Sequence, residues 1–283
     1  MYQAKGQGRD RWDAFDGSMR QAVVDRIRAE TDLRRAIDNG QLEVHYQPEF
    51  LRETGEIVGT EALVRWRHPL RGLLAAGSFI SLAEETGLVV DLGRWVLGKA
   101  TIQGAEWVPD GRDIITRVNL SARQLRPAVV AEVEDALRVA SLPADRLCLE
   151  LTETAIMDDV QESARILAQF RELGVQVAID DFGTCFSSLA YLKRFPVDIL
   201  KIDGTFVGGV GADPDDTAVV RSVIGLARTL RLEVVAEGIE DASQVGELVR
   251  LGCGRGQGFH LARPAPAEDV SMLLSGSLAP PSE

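Results

Sequence analysis

The 283 residues are enough for one large domain or two small ones, and 45% hydrophobic and 26% charged residues form an ordinary globular composition. The 43 acidic residues outnumber the 31 basic ones, and the net charge of −12 argues against non-specific binding to nucleic acid or to an anionic membrane. The 3 scattered cysteines imply no disulfide framework, and the sequence contains neither a membrane-spanning apolar run nor an apolar signal core. A cytoplasmic location, with no membrane segment in this chain, is therefore expected.

The chain begins with polar, glycine-punctuated residues, and 1–20 are not expected to contribute to a core. Apolar residues at helical spacing start at Met19, and Asn39-Gly40 forms a typical helix C-cap. The alternation in Leu42–Tyr46 predicts a strand, which Gln47-Pro48 is expected to stop.

Short strand-like runs then alternate with helical patterns along the rest of the chain. The predicted strands are Ile57–Val64, Ile114–Leu120, Leu147–Leu151, Val175–Ile179, Ile199–Ile202, Glu233–Ala236 and a weaker Gly256–His260. Helix-start signals between them lie at Ser121, Asp159, Asp215 and Asp241. This alternation predicts an α/β fold, and about eight units favour a closed (β/α)8 TIM-type barrel. An open doubly wound sheet is the alternative, although no glycine-rich dinucleotide motif follows the first strand.

Polar side chains recur at the ends of these strands. The run Val175–Ile179 leads directly into Asp180-Asp181 and then Gly183, and adjacent carboxylates can share one site only where the strand is ending. The other strands end in or near Glu61, Asn119, Glu150, Lys201 with Asp203, Glu237 and Gln257. Burying one unpaired carboxylate costs several kcal/mol, so a series of such positions calls for a shared cause. In a parallel barrel all of these ends meet at one rim.

The donor types indicate what this rim would hold. Carboxylate and amide oxygens, without histidine or cysteine, suit Mg²⁺ or Mn²⁺ rather than zinc, and the number of acids is sufficient for two ions acting on a phosphoryl group. In such an acidic cluster Lys201 should stay charged and orient the attacking water or stabilise an oxyanion. A simple ion pair between Lys201 and Asp203 is the alternative interpretation.

The same residues resemble the motifs of a known family. Tyr46-Gln47-Pro48, Glu61-Ala62-Leu63 and Arg65-Trp66-Arg67-His68-Pro69 are similar to the motifs of an EAL domain, a cyclic di-GMP phosphodiesterase. Further matches, in the same order, are Val118-Asn119-Leu120-Ser121, Glu150-Leu151-Thr152-Glu153, Asp180-Asp181-Phe182-Gly183-Thr184, Lys201-Ile202-Asp203, Ala236-Glu237-Gly238-Ile239-Glu240 and Gln257-Gly258-Phe259. The resemblance runs from about Arg28 to Glu268. Residues 1–12 resemble the end of a GGDEF domain.

The resemblance implies a domain layout and an activity. Residues 1–20 would be the end of a preceding GGDEF-like domain with its linker, 21–270 the EAL barrel with an antiparallel first strand, and 271–283 a disordered tail. The implied reaction is hydrolysis of cyclic di-GMP to linear pGpG with two Mg²⁺ or Mn²⁺ ions. The implied assembly is a homodimer, covalently linked to upstream GGDEF and sensor domains that could themselves anchor the full-length protein to a membrane.

The resemblance also implies site residues by motif position. One ion would be held by Glu61, Asn119, Glu150 and Asp180, and the second by Asp180, Asp181 and Glu237. The implied catalytic set is Lys201, Glu237 and Gln257. The implied substrate contacts are Gln47, Leu63, Arg65, Asp203, Phe259 and Pro264. Supporting roles fall to Glu153, Glu240 and Thr184, with Glu153 anchoring a loop over 181–188 that connects the metal site to the dimer interface.

The sequence departs from the family pattern in this loop. Cys185 replaces the glycine that usually follows Asp-Phe-Gly-Thr, and a cysteine would strain the loop if that position needs a positive φ.

A catalytically weak or inactive EAL module could act as a cyclic di-GMP receptor. A second alternative function is a metal-dependent barrel enzyme in which Lys201 removes a proton from carbon. That chemistry does not require the motifs at Gln47 and Arg65.

Overall fold

A computed structural model describes residues 17–51, 53–108, 113–184 and 192–276, with side chains from residue 26 onward. The predictions for residues 1–16, for Cys185 and for 277–283 lie outside the described residues. The strands are β1 (Leu42–Leu51), β2 (Ile57–His68), β3 (Gly72–Ala75), β4 (Ile115–Asn119), β5 (Leu147–Thr152), β6 (Gln176–Phe182), β7 (Ile199–Ile202), β8 (Glu233–Ala236), β9 (Arg255–Gly256) and β10 (Ala265–Pro266). The α-helices are α1 (Gly17–Asp38), α2 (Ile80–Thr86), α3 (Val89–Trp107), α4 (Ala128–Ala140), α5 (Glu153–Met157), α6 (Val160–Leu173), α7 (Gly204–Gly209), α8 (Pro214–Leu230), α9 (Ala242–Leu251) and α10 (Ala267–Leu274).

Eight of the described strands close into a barrel. Strands β2, β4, β5, β6, β7, β8 and β9 pair in parallel in this order, and β1 closes the ring by pairing antiparallel with both β2 and β9. Helices follow the parallel strands and cover them from outside. The predicted (β/α)8 TIM-type barrel with an antiparallel first strand is therefore confirmed, and an open doubly wound sheet is excluded.

Strand β1 is longer than predicted. It continues through Gln47-Pro48 to Leu51, and Pro48 lies opposite Thr60 of β2. On its other side β1 pairs with β10 only at His45 and Tyr46 and with β9 only at Phe50 and Leu51. Proline is tolerated between these two short pairings because no ladder hydrogen bond is required of its nitrogen there. The expectation that Gln47-Pro48 ends the strand is wrong for this reason.

Two other predictions near the ends of elements are corrected. The weak strand over Gly256–His260 is reduced to β9, and the residues after it turn back so that the Gln257 carbonyl accepts a hydrogen bond from the Ile239 N–H. The final helix α10 continues past residue 271, where a disordered tail was expected to begin, because Val270 and Leu274 are both buried. None of the helices in the described part of the chain combines the length and apolar character needed to cross a membrane.

The capping signals explain where several helices begin and end. Asp159, Asp213 and Asp241 each accept hydrogen bonds from N–H groups in the first turn of the helix that follows. Gly174 and Gly252 end α6 and α9 in the left-handed conformation, in which glycine carries no Cβ penalty. Each helix is thus delimited by its own residues, and its apolar face is left free to pack on the barrel.

The interior of the barrel is layered, and this layering positions the polar rim. A small apolar cluster fills the interior, formed by Ile115, Cys148, Ala178, Ile199 and Val235. Side chains two residues apart on a strand face the same side. The next inward residues after Cys148, Ala178, Ile199 and Val235 are therefore Glu150, Asp180, Lys201 and Glu237. The apolar layer is the floor of the polar site above it.

The outer core between strands and helices accounts for most of the apolar burial. On α6, Ile166, Leu167 and Phe170 are fully buried among strand side chains. We predict that Phe170→Ala lowers the free energy of unfolding by about 3–5 kcal/mol, because it removes buried apolar surface and leaves a cavity. Urea denaturation followed by circular dichroism measures this loss. The control Val139→Ala removes an exposed side chain and should change stability by less than about 0.5 kcal/mol; equal effects would contradict the placement of α6.

Candidate active site at the carboxyl end of the barrel

The site is centred on Lys201, a fully buried cation on β7. Its Nζ lies 2.7 Å from Glu150 Oε2 and 2.6 Å from Glu237 Oε1. It also lies 3.4 Å from Asp180 Oδ1 and 3.6 Å from Glu61 Oε2. Four carboxylates, on β2, β5 and β6 and directly after β8, thus converge on one ammonium group. Among the described residues these acids, and not Asp203, are its ion partners, so the simple Lys201–Asp203 pair is not formed.

Two amide side chains complete this cluster. Asn119 Nδ2 donates to Glu61 Oε1 over 2.7 Å. Gln257 Nε2 donates to Glu61 Oε2 over 2.5 Å and to Glu237 Oε1 over 3.1 Å, while its buried Oε1 has no hydrogen-bond partner. A Cβ on Gly258 would lie 2.2 Å from the backbone of Ile239, so only glycine permits the close approach that holds Gln257 in place.

A bulge in β6 brings Asp180 and Asp181 to the same site. The strand does not end at Ile179, as predicted, but continues to Phe182, and its pairing with β7 shifts register between Ile179 and Phe182. Asp181 has a φ of 53°, a left-handed conformation that few non-glycine residues adopt. A bulge of this kind breaks the strict alternation of side chains along the strand. Oxygens of Asp180, Asp181 and Glu237 consequently lie within 4.8 Å of one another.

The cluster carries more negative than positive charge. Burial lowers the pKa of Lys201, but the surrounding carboxylates, Asp180 foremost, raise it well above its ordinary value, so the ammonium stays charged. Burial raises the pKa of Glu150 to about 8, although Lys201 opposes this rise. Burial, followed by the charge of Asp180, raises the pKa of Asp181 to about 7. The excess of acids over cations must therefore be neutralised by protons or by a bound cation.

The donor chemistry fits divalent metal ions. The carboxylates and the Asn119 amide offer oxygen ligands of the kind that Mg²⁺ and Mn²⁺ prefer. The three carboxylates Asp180, Asp181 and Glu237 satisfy the spacing of a shared metal centre. Glu150 Oε1 and Gln257 Oε1 are buried acceptors without a hydrogen-bond donor. The residues present are therefore suited to the hard cations that the sequence predicts.

Two cavities flank the cluster. The first, of about 300 Å³, is lined by Gln47, Glu61, Leu63, Asp180, Gly204, Glu237, Gly238, Glu240, Gln257, Gly258 and Phe259. The second, of about 470 Å³ and mostly apolar, lies between β2, α2, α3 and the residues after β4 and β5. Leu63 lines both cavities, and Asn119 lines the second.

Some of the predicted substrate residues line the first cavity and others do not. Gln47 is buried and donates to the Ala262 carbonyl over 3.1 Å, which fixes its side chain at the wall. Phe259 is 51% exposed, and the Arg263 guanidinium lies 4.6 Å from its ring centroid. Arg65 is half-buried and donates to the Val64 carbonyl over 3.0 Å. Pro264 is half-buried and is not among the residues that line either cavity.

The remaining predicted residues have structural roles in their immediate surroundings. Asp203 caps α7 by accepting the Thr205 N–H over 2.8 Å, and it also lies beside Asp181. Thr184 donates to the Asp181 carbonyl over 2.9 Å and so steadies the bulge. Glu240 lines the first cavity at its exposed side. Glu153 is buried at the start of α5 with an unpartnered Oε2, but residues 185–191 of the loop it was expected to anchor lie outside the described part of the chain.

Sequence reasoning missed two buried ions below the site, Glu49 on β1 and Arg117 on β4. Both side chains are fully buried and form an ion pair with each other. The sequence did contain a signal for Arg117: it precedes Asn119 by two residues on the same predicted strand, and side chains two residues apart face the same side.

A closed barrel with an acid-rich mouth defines the class of protein, and comparison with known proteins defines the family. The EAL domain model matches residues 30–264. The chain is 46% identical over 272 residues to the bifunctional diguanylate cyclase/cyclic di-GMP phosphodiesterase MucR of Pseudomonas aeruginosa, and 41% identical over 271 residues to the cyclic di-GMP phosphodiesterase PdeR of Escherichia coli. These matches cover 95% and 94% of this chain but 40% of each relative, so the chain spans less than half the length of either.

Solved structures agree with this relationship. The PaMucR phosphodiesterase in complex with c-di-GMP superposes with a TM-score of 0.83 at 46% identity, covering 86% of this chain and 99% of that one. The EAL enzyme Bd1971, in a form with cAMP and cyclic di-GMP bound, gives a TM-score of 0.86 at 33% identity and covers 91% of this chain and 71% of that one. The chain belongs to the EAL domain family.

The raised pKa values predict how metal-free protein responds to pH. Glu150 has a folded-state pKa of about 8 against an ordinary value of 4.5, so between these pH values the folded state binds more protons than the unfolded state. The free energy of unfolding should therefore fall as pH rises through this range. Glu150→Gln, which cannot ionise, should make this fall shallower in urea denaturations at pH 5, 6.5 and 8 with a chelator present. The exposed control Glu134→Gln should keep the parent's slope, and an unchanged slope in Glu150→Gln would contradict the assignment.

Proposed function

We propose that this chain hydrolyses cyclic di-GMP to linear pGpG in a reaction that depends on two divalent cations, Mg²⁺ or Mn²⁺. The observation that carries the proposal is the convergence of Glu61, Glu150, Asp180 and Glu237 around Lys201 at the mouth of the barrel. The activity named for MucR and PdeR, at 46% and 41% identity over nearly all of this chain, supports the same substrate here.

We assign the ligands of the two ions from the positions of the side chains. Glu61, Asn119, Glu150 and Asp180 would hold one ion, and Asp180, Asp181 and Glu237 the second, with Asp180 shared. The bound cations would supply the Lewis acidity that polarises the phosphodiester and makes water a better nucleophile. Lys201 lies within ion-pair distance of Glu61, Glu150, Asp180 and Glu237, and so keeps these ligands together before a cation arrives.

The dinucleotide would lie across the rim between the two cavities. Arg65, half-buried beside the site, is suited to bind a phosphate through its planar guanidinium. The exposed ring of Phe259 would stack on one guanine, and Gln47 and Leu63 would contact the ligand at the wall of the first cavity. In this arrangement one phosphodiester faces the carboxylates, and the second faces away from them.

The chain's own groups would handle the attacking water. Lys201 Nζ, always charged, would orient the water by donating a hydrogen bond to its oxygen. Glu237 Oε1, which Lys201 and Gln257 hold in place, would accept the proton that the water loses. The water oxygen bonds to phosphorus, the P–O3′ bond breaks, and a proton passes to the 3′ oxygen of the leaving nucleoside. The product is the linear dinucleotide with a 5′ phosphate.

We further propose that the natural assembly is larger than this chain. The match to a relative named as both a diguanylate cyclase and a phosphodiesterase, over 40% of its length, supports a GGDEF domain covalently linked to the barrel. A homodimer is the assembly that we expect for the barrel itself, and sedimentation velocity of the purified chain tests it.

The first test concerns the ligands of the proposed ions. We predict that Glu61→Ala abolishes hydrolysis, by at least about 100-fold, and weakens Mn²⁺ binding, because a carboxylate ligand and its hydrogen bonds from Asn119 and Gln257 are lost. Cyclic di-GMP incubated with Mg²⁺, Mn²⁺ or a chelator and separated by anion-exchange chromatography measures the product. Binding without any product from the parent protein would instead identify a cyclic di-GMP receptor. Full activity of the Glu61 variant would refute the ligand assignment.

The second test separates turnover from binding. Lys201→Met should lower the turnover number by at least about 1,000-fold, while the dissociation constant for cyclic di-GMP, measured with Ca²⁺ in place of Mg²⁺, changes by less than about tenfold. The reason is that Lys201 is fully buried beneath the ligand-binding surface and acts on the water rather than on the bases. A parallel loss of binding and turnover would contradict this role.

A further inference from the structure

A buried ion pair interrupts the apolar floor beneath the candidate active site, at the level of Cys148. Arg117 on β4 and Glu49 on β1 both have fully buried side chains, and Arg117 Nε donates to Glu49 Oε2 over 2.5 Å. Arg255 Nη1, at the lower end of the barrel, lies 3.6 Å from Glu49 Oε1. Neither side chain of the Arg117–Glu49 pair is exposed to solvent, so bulk water cannot screen their charges.

The surrounding residues leave space for this guanidinium group. A Cβ built on Gly59 would lie 3.5 Å from both Arg117 Nε and Glu49 Oε2 and 3.2 Å from the Ile115 carbonyl. The absence of a side chain at Gly59 therefore opens the volume in which the two ions meet. On the opposite side, Arg117 Nη1 lies 3.3 Å from the Cys148 sulfur. The guanidinium is thus fixed on both sides by neighbouring strands.

Arg117 also faces Glu150, one of the proposed metal ligands. Arg117 Nη1 lies 3.9 Å from Glu150 Oε1, and this oxygen is buried without a hydrogen-bond partner. The other oxygen, Oε2, accepts from Lys201 Nζ over 2.7 Å. The Glu150 carboxylate is therefore held between a cation at the level of the site and a second cation below it. Arg117 is the charged group that reaches the site from beneath.

We propose that Arg117, anchored by Glu49, is a positioning residue that holds the Glu150 carboxylate in the orientation needed to bind a divalent cation. The inference rests on the proposed function, because it takes Glu150 as a ligand. Arg117 does not touch the substrate or the reacting atoms. The nearest of the proposed ligands to its guanidinium is Glu150, and it adds a positive charge beneath a rim that otherwise carries an excess of carboxylates.

If the Glu49–Arg117 pair served only to stabilise the fold, replacing it would change the stability of the protein but not its Mn²⁺ affinity. Replacing both members of a buried ion pair by apolar residues of similar size is often neutral or stabilising, because the cost of desolvating two charges disappears. Removing only one member leaves an uncompensated buried charge and destabilises the fold. The double substitution Glu49→Leu with Arg117→Met therefore keeps the interior packed while it removes the charge beneath Glu150.

The experiment compares this double variant with the parent in Mn²⁺ affinity, measured by isothermal titration calorimetry, and in steady-state hydrolysis of cyclic di-GMP. We expect the melting temperature of the metal-free protein to stay within a few degrees, and the dissociation constant for Mn²⁺ to rise by about 10–100-fold, as is typical when a group behind a metal ligand is lost. At saturating Mn²⁺ the turnover number of the double variant should fall by a larger factor than the factor by which its KM rises. Arg117→Lys, which keeps a charge below Glu150, should recover most of the Mn²⁺ affinity.

The control is an exposed ion pair on α4 that lines neither cavity. Arg138 Nη2 and Asp135 Oδ1 are 2.9 Å apart, and Arg138→Gln with Asp135→Asn should leave Mn²⁺ affinity and turnover unchanged. Mn²⁺ affinity within twofold of the parent in a folded Glu49/Arg117 double variant would overturn the proposal. If that variant does not fold, Glu49→Gln, which frees Arg117 from its anchor, serves in its place, and parental Mn²⁺ affinity there has the same meaning. A parent that binds Mn²⁺ but leaves cyclic di-GMP intact would refute the proposed function without affecting the comparison of Mn²⁺ affinities.

Discussion

The ion cluster around Lys201 is the constraint on which the rest of the structure depends. Four carboxylates from different parts of the barrel lie within 3.6 Å of one buried ammonium group, which offsets part of their mutual repulsion. Removing one member of a buried ion pair leaves an unpaired charge in a medium that solvates it poorly. The barrel therefore has to close with correct register at every strand. The apolar floor of the interior provides the rigid support for that register.

Much of the fold could be predicted because local signals agree with the tertiary structure. The strands near Leu147–Leu151 and Ile199–Ile202 are short apolar runs, and the helices between them have cap residues that can be read directly. The exceptions have tertiary causes. Pro48 remains inside β1 because the neighbouring strands leave a gap at that point, which no local rule can anticipate. The hairpin strand β3 was not predicted, because its four residues are mostly exposed and do not alternate between apolar and polar side chains.

The candidate site was foreseen as a set of residues but not as an arrangement. The acids at the strand ends could be identified because charged residues beside buried runs are costly and therefore informative. The bulge that turns Asp181 toward the site could not be read from the sequence, since it depends on how β6 pairs with β7. Arg117 and Glu49 are far apart in the chain, and only the antiparallel placement of β1 brings them into contact beneath Glu150.

The contact between Glu61 and Gln257 joins side chains 196 positions apart in the sequence. The first of them belongs to β2 and the second follows β9, on either side of the strand that seals the ring. A fragment that lacks one of these ends loses this contact, because the Glu61 carboxylate on one side of the ring is oriented by an amide on the other. The complete acid cluster therefore exists only when the ring is closed, and a chain clipped before Gln257 would lack one of the two amides that orient the Glu61 carboxylate.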